Sequence, residues 1–352
     1  MDIKPLKIGK FTLELPIIQG GMGIGISRSN LAAAVSNSGG LGVLSGAQIG
    51  HDEPDFETNT LQANLRAIKK HIQKAKAAAK GKMIGINLMV AMEHYEEHVE
   101  AAVEAGVDII ISGAGLPLTL PAHLKGSQTM FAPIVSSARA AKALLKNYDR
   151  KYQVAPDMIV IEGNMAGGLL GFSEEELLNG TAQSNDDILS DVLKEAGDIP
   201  VFVAGGVFDG KDMAHYMKLG ASGVQIGTRF IATDECDASD VFKDAIINAG
   251  KEDILIIKSP VGMPARAINS PLLKALKQGL KFTALKCNGC LTACPKDDSI
   301  PYCISRALIA AVKGDWENGL FFTGSNAYRI KEKVSVKELI SEILGEYKEA
   351  MA

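Results

Sequence analysis

The chain has 352 residues, 47% hydrophobic and 22% charged, with a net charge of −4, an ordinary globular composition with length for one large core. The mild acidity and the lack of a long basic run argue against nucleic acid as a partner, and no apolar run approaches the length of a membrane span. The opening MDIKPLKIGKF has no apolar signal core, and five cysteines, four of them between 287 and 303, do not suit a secretory disulfide framework; the cytoplasm is the expected compartment.

In chain order, short apolar runs alternate with helical patterns, the signature of a parallel α/β fold. Strands are expected at 17–19, 41–44, 83–89, 108–112, 130–135, 157–161, 200–203 and 223–226. Helical stretches lie between them at 29–38, 59–79, 93–105, 138–146 and 186–196. The lysines of 69–82 recur along an Ala-rich helix and read as a solvated face. Three junctions, AVSNSGGLGVLSG, AVEAGVDIIISG and MKLGASGVQIG, share one plan. Each ends a helix on a small residue, turns at glycine, and runs an apolar strand into a second glycine. One βα unit repeated around eight strands implies a (β/α)8 TIM barrel, here over residues 1–248. A doubly wound open sheet is the alternative, but it usually has fewer strands and a single Gly-rich phosphate loop. After about 248 the alternation stops. Residues 249–352 carry a Pro-punctuated link, a cysteine cluster and helical stretches at 304–313 and 336–346. They are expected to form a mainly helical C-terminal cap that completes the substrate side.

The stretch 201–230 carries the strongest chemical signal. An apolar strand stops at Ala204-Gly205-Gly206, Asp209 stands where an N-cap would open a helix, and the next strand ends in Gly227-Thr228. Two parallel strands thus finish, one helix apart, in turns without bulky side chains. Backbone N–H groups can approach an anion there, and phosphate sites in (β/α)8 barrels lie at these loops. The plainer reading is that the glycines relieve helix–strand crowding.

Other strand ends are also polar or glycine-rich. Gln19-Gly20-Gly21-Met22-Gly23 ends the first strand and can lie flat against a planar ligand or phosphate. It is not a dinucleotide fingerprint, because the G-x-G-x-x-G spacing fails. Asn87 interrupts an apolar strand, as a partner for a polar ring such as a flavin or for neighbouring strand ends. Ser112-Gly113 and Glu162-Gly163-Asn164-Met165-Ala166-Gly167-Gly168 end two further strands. His94 and His98, four apart, read as a solvated helix face, since a third metal ligand is lacking.

Cys287, Cys290, Cys294 and Cys303 have the spacing C-x2-C-x3-C-x8-C. Four soft ligands so spaced suit a [4Fe–4S] cluster or a tetrahedral zinc site; reduced thiols packing a helical cap are the plain alternative. Cys236 stands alone and reads as structural.

The segments IIQGGMG, AVSNSGGLGVLS, GINLMV, SGAGLP, IVSSARAA, PDMIVIEGNMAGG, VFVAGGV and GVQIGTRF resemble the nitronate monooxygenase (2-nitropropane dioxygenase) family, and flavin-dependent enoyl-acyl-carrier-protein reductases share these features. The resemblance runs through about residues 6–330. It implies a TIM barrel binding FMN at its C-terminal face. By position, Gln19, Gly20, Gly21 and Met22 would lie along the isoalloxazine, with Asn87, Ser112 and Glu162 near it. Gly167, Gly168, Ala204, Gly205, Gly206, Gln225, Gly227 and Thr228 would hold the phosphate. The chain departs from the family at one position. The family loop A-G-G-H supplies a catalytic histidine, whereas this chain has Ala166-Gly167-Gly168-Leu169. Leucine moves no proton, so the substitutes to consider are His123, Tyr95 and Tyr302.

The resemblance implies oxidation of an alkyl nitronate by flavin, with O2 reoxidising the ring. An NAD(P)H-fed flavin ene-reductase is the second reading, and an electron-transfer or non-catalytic flavin or iron–sulfur protein the third. The expected partners are a small-molecule substrate with O2 or NAD(P)H, and a homodimer is the alternative to a monomer.

Overall fold

The computed structural model describes residues 3–282, 286–297 and 299–352. A hairpin that the periodicity does not announce comes first, β1 (Leu6–Ile8) and β2 (Phe11–Leu13). The expected strands follow: β3 (Ile17–Gln19), β4 (Gly42–Ser45), β5 (Ile84–Met89), β6 (Ile109–Gly113), β7 (Met130–Val135) and β8 (Ile159–Glu162). After the short outlying β9 (Gly168–Leu169) come β10 (Val201–Ala204) and β11 (Gly223–Ile226). Neighbours pair in parallel from β3 through β11, β10, β8, β7, β6 and β5 to β4. The bridge between Ile18 and Leu41, with the Gln19 N–H donating to Leu41 O at 2.9 Å, joins the two ends. The ring is closed, so among the described residues the barrel strands present no open edge to another chain.

Strand alternation separates two apolar layers. Met158 and Val160 point inward with Ile18, Val43, Ile109, Ile111, Phe202 and Ala204, while Ile159 and Ile161 point outward. Two positions beyond Val160, Glu162 faces inward at the top of this layered core. The β1–β2 hairpin plugs the opposite end, where Ile8 and Leu13 join Met83, Met130 and Met158. Outside, helix Thr60–Ala78 buries Ala63, Ala67, Ile68, Ile72 and Ala75, one stripe at helical spacing. At two of the repeated helix-to-strand junctions Gly106 (φ 72°) and Gly220 (φ 105°) adopt the left-handed conformation that ends a helix cheaply only at glycine. Asp209 caps helix Gly210–Lys218, accepting from the Lys211 and Asp212 N–H groups at 3.0 Å each.

Beyond 248 the chain adds helices Pro271–Lys277, Ile304–Val312 and Val336–Met351. It also adds a hairpin, β12 (Ile254–Lys258) and β13 (Pro264–Ile268), which takes β9 as a third strand. The last helix is no cap. Leu339, Ile340, Ile343 and Tyr347 pack with Leu31, Val35, Met213 and Ala214 of two barrel helices, and Glu346 accepts from the Gly210 N–H at 2.9 Å. It completes the outer helical ring, so a boundary at 248 cuts through one packed unit. No helix among the described residues is long and apolar enough to cross a membrane.

Candidate active site

A cavity of about 500 Å³ opens over the C-terminal ends of the barrel strands, roofed by the C-terminal lobe. Its walls include Gly20, Gly21, Met22, Asn87, Glu162 and the glycine turns after β8, β10 and β11.

One end is a narrow cradle. Gly205 (φ 89°) and Gly206 (φ 91°) hold left-handed turns, and a Cβ at Gly205 would come within 2.8 Å of Gly163 O. Gly227 differs: a Cβ there meets nothing nearer than Met22 Sδ at 3.5 Å, so the hydrogen faces open cavity. Among the described residues the N–H groups of Gly206, Gly227 and Thr228 donate to no backbone carbonyl. The lobe closes the third side. The Gly324 N–H donates to Thr228 Oγ1 at 2.9 Å, Asn326 Nδ2 donates to Gly206 O at 2.6 Å, and the Ser325 N–H donates to Met165 O at 3.1 Å. Thr323 Oγ1 and Ser325 Oγ are buried there without a partner. Gly206, Gly227, Thr228, Thr323 and Ser325 all line this end of the cavity, and unpaired backbone N–H groups at glycine turns are the kind of group that binds an anion.

The floor is less uniform than the motifs imply. Gln19 does not reach the cavity: its Nε2 donates to Gly20 O at 2.5 Å and Ser27 Oγ at 2.9 Å, and its Oε1 accepts from the Val43 N–H. It pins the turn from beneath. Ser112 is also fully buried away from the cavity, donating to Leu88 O at 2.7 Å and bonding Tyr95 OH at 2.8 Å. Asn87 does line the cavity, half-buried, with Nδ2 donating to Ile111 O at 3.2 Å, which leaves its carbonyl oxygen free to accept. Glu162 stands on the floor without a hydrogen-bond partner among the described residues, and burial pushes its carboxyl up to about 7.

None of the suggested replacements for the family histidine lines the cavity. Leu169 does line it, and β9 holds it opposite Ala265. His123 instead places Nδ1 at 3.2 Å from Glu100 and Nε2 at 3.4 Å from Glu96 on the outer surface. Tyr302 is buried in the lobe core with its hydroxyl unpartnered. The Tyr95 hydroxyl, bonded to Ser112, is pushed up to about 12 by burial. His123 and Tyr95 are held on the outer side of the barrel and Tyr302 in the lobe core, all away from the floor.

The four cysteines of the lobe lie close to one another: burial pushes the Cys290 thiol up, and Cys303, Cys294 and Cys287 beside it add to the rise. Among the described residues no group of three or more His, Cys, Asp or Glu side chains could hold a metal. Cys287 is exposed, whereas Cys290 and Cys294 pack as apolar side chains against the cluster of Met92, Leu291, Tyr302 and Ile304. Their loop is drawn down by the bridge between Met92 and Leu291 and by the Glu93 N–H donating to Cys290 O at 3.2 Å. Cys236 is buried, its thiol pushed up to about 12 by burial.

Two features escaped the motifs. The segment Phe322–Asn326 returns from the lobe to line the cradle, signalled in sequence only by Gly-Ser-Asn after an aromatic pair. His98, far from lying on a solvated face, is 3% exposed and lines the cavity.

The family model described as nitronate monooxygenase matches residues 4–346. A probable nitronate monooxygenase from Staphylococcus saprophyticus is 26% identical over 299 residues, covering 79% of this chain and 82% of that protein. The solved structure of FabK from Thermotoga maritima is 27% identical, with a TM-score of 0.73 over 96% of this chain and 94% of that one. The nitroalkane oxidase from Streptomyces ansochromogenes, at 22% identity and a TM-score of 0.74 over 96% of each chain, shares the fold.

Proposed function

The chain belongs to the nitronate monooxygenase family, and from that premise we propose that it is an FMN-dependent oxidoreductase acting on alkyl nitronates. The observation that carries the FMN reading is the cradle. It joins glycine turns after two adjacent strands to the unpartnered hydroxyls of Thr323 and Ser325, and it suits one terminal phosphate rather than a diphosphate arm. The residues fit the group. Gly206, Gly227 and Thr228 would donate to the phosphate with Ser325, Gly20–Met22 would lie under the ring, and Asn87 would bond its polar edge. FMN bound there would supply the redox chemistry that oxidation of a nitronate by O2 requires.

The protein's own residues bind, orient and exclude water. The roof of Met92, Leu291 and Phe322 is apolar and would shield the reacting carbon from bulk water. The resemblance implies a proton acceptor at the position that Leu169 occupies, and on this reading the preferred substrate is one that arrives already deprotonated, as a nitronate anion. The purified protein should release FMN on heating and consume O2 with preformed nitronates. Neutral nitroalkanes should react more slowly by about 10²–10⁴-fold, the usual worth of a positioned base. Leu169→His should raise the neutral-substrate rate selectively. Equal wild-type rates on both forms would mean that another group abstracts the proton. Flavin bleaching by NAD(P)H and re-oxidation by an activated alkene, with no response to nitronate, would replace this reading with the ene-reductase one.

A further inference from the structure

His94 adopts φ 57°, and the chain turns there into helix Tyr95–Glu104. Tyr95, His98, Val99 and Ala102 form the buried stripe of that helix, which aims His98 inward from its first turn. His98 Nδ1 lies 2.7 Å from His94 O; a carbonyl only accepts, so Nδ1 carries the proton and Nε2 presents a lone pair. Burial lowers the pKa of the ring from its ordinary value, which keeps it neutral. Nε2 is buried and has no partner. Such atoms are uncommon in folded proteins and ask for an explanation.

The surroundings supply one. His98, Asn64, Glu93 and Gly289 line both the main cavity and a second one of about 270 Å³, which reaches outward past Thr58, Thr60, Lys286 and Asn288. At this junction the other polar groups are already engaged. Asn64 donates to Gln48 Oε1 at 2.7 Å and accepts from the Gly50 N–H at 2.9 Å, and Glu93 pairs with Lys296. The roof of the main cavity is apolar at Met92, Leu291, Ile304 and Leu308.

We propose that His98 Nε2 is a tail subsite, accepting a hydrogen bond from a hydroxyl or amide N–H on an elongated substrate whose reactive end lies at Gly20–Met22 and Asn87. The apolar roof covers the middle of that substrate, and the second cavity receives what lies beyond the donor. A short, plain alkyl nitronate would leave Nε2 unsatisfied, so the physiological substrate is longer and carries a donor.

The test compares a chain-length series of alkyl nitronates, each with and without a terminal hydroxyl, on the FMN-loaded protein. At the matching length the hydroxylated member should show kcat/KM about five- to tenfold higher, the range of one neutral hydrogen bond. His98→Leu should bring that ratio close to unity, and His98→Gln, which keeps an acceptor, should retain part of it. No preference at any length, or a preference that survives His98→Leu, overturns the proposal. This turnover arm rests on the nitronate reading above. A second arm does not: in ¹⁵N-histidine-labelled holoprotein, the His98 Nε2 resonance, identified by its loss in His98→Gln, should start at an unprotonated position. It should move on adding the ω-hydroxy nitroalkane and stay on adding the plain one; a resonance that never moves overturns the subsite. If neither nitronate is oxidised while the resonance moves, the nitronate reading falls and the subsite stands. Should His98→Leu fail to fold, the Gln variant and the resonance decide.

Discussion

A side chain added at Gly227 would project into open cavity, whereas one at Gly205 would strike Gly163 O and require a left-handed backbone. The two glycines therefore separate binding from folding. Gly227→Val should lower FMN occupancy by at least tenfold while the unfolding free energy of flavin-free protein stays within about 0.5 kcal/mol of wild type, as for substitutions that disturb no packing. Gly205→Val should instead destabilise the barrel. Flavin content and urea denaturation, measured on both, distinguish the roles. Glu162 offers a pH test. Its folded carboxyl keeps a proton up to about pH 7, whereas the unfolded one loses it from 4.5. The folded state thus binds more protons in this window, and stability falls as pH rises through it. At about 1.36 kcal/mol per pKa unit the shift amounts to on the order of 3 kcal/mol. The stability difference between flavin-free wild type and Glu162→Gln should therefore turn against the wild type from pH 4.5 to 7. A difference that stays flat would mean an ordinary carboxyl.

Between elements, the contact of helix Ser29–Asn37 with helix Thr60–Ala78 carries an opposite pH dependence. His71 Nδ1 lies 3.2 Å from Ser29 Oγ, and His51 lies nearby on Arg28. Both rings are pushed down to about 4, by burial first and by Arg28 second. The unfolded chain takes up these protons from 6.5 downward and the folded one does not, so stability is lost as pH falls from 6.5 to 4. Relative to His71→Asn, the wild type should lose up to about 1.36 kcal/mol per pH unit across that window, read from denaturation midpoints. Element type was legible where local pattern and packing agree: all eight barrel strands announce themselves as short apolar runs, most of them ending in glycine. The β12–β13 hairpin did not. Its strand ILIIK is partly exposed throughout and its partner PARAI is too short and mixed to show a period, so pairing with each other, and of β13 with β9, rather than alternation makes them strands.

For the molecule as a whole, the last helix tests whether barrel and lobe are separable. Removing 336–352 strips Val336, Leu339, Ile340, Ile343 and Tyr347 from the helical ring. At about 1.5–3 kcal/mol for each buried side chain the loss rivals the whole stability of a domain, about 5–15 kcal/mol. The truncated chain should show no cooperative unfolding transition by circular dichroism. A native-like barrel surviving the deletion would mean that the ring closes without it. The sequence by itself determined the barrel, the cradle glycines and the likeness to a flavin-enzyme family, because these rest on local periodicity and on turns that only glycine makes. Tertiary structure alone decided which polar residues meet the cavity. Gln19 and Ser112 sit in the right motifs, but neighbouring strands capture their hydrogen bonds. His98 sits in an unremarkable helix, yet its first turn is folded against the cavity wall. The cysteines have ligand spacing, and it is the tertiary fold that binds the Cys290 loop down on Met92 and Glu93 and brings Cys303 beside it. Where a side chain points depends on contacts made by residues far along the chain, and no local pattern encodes that.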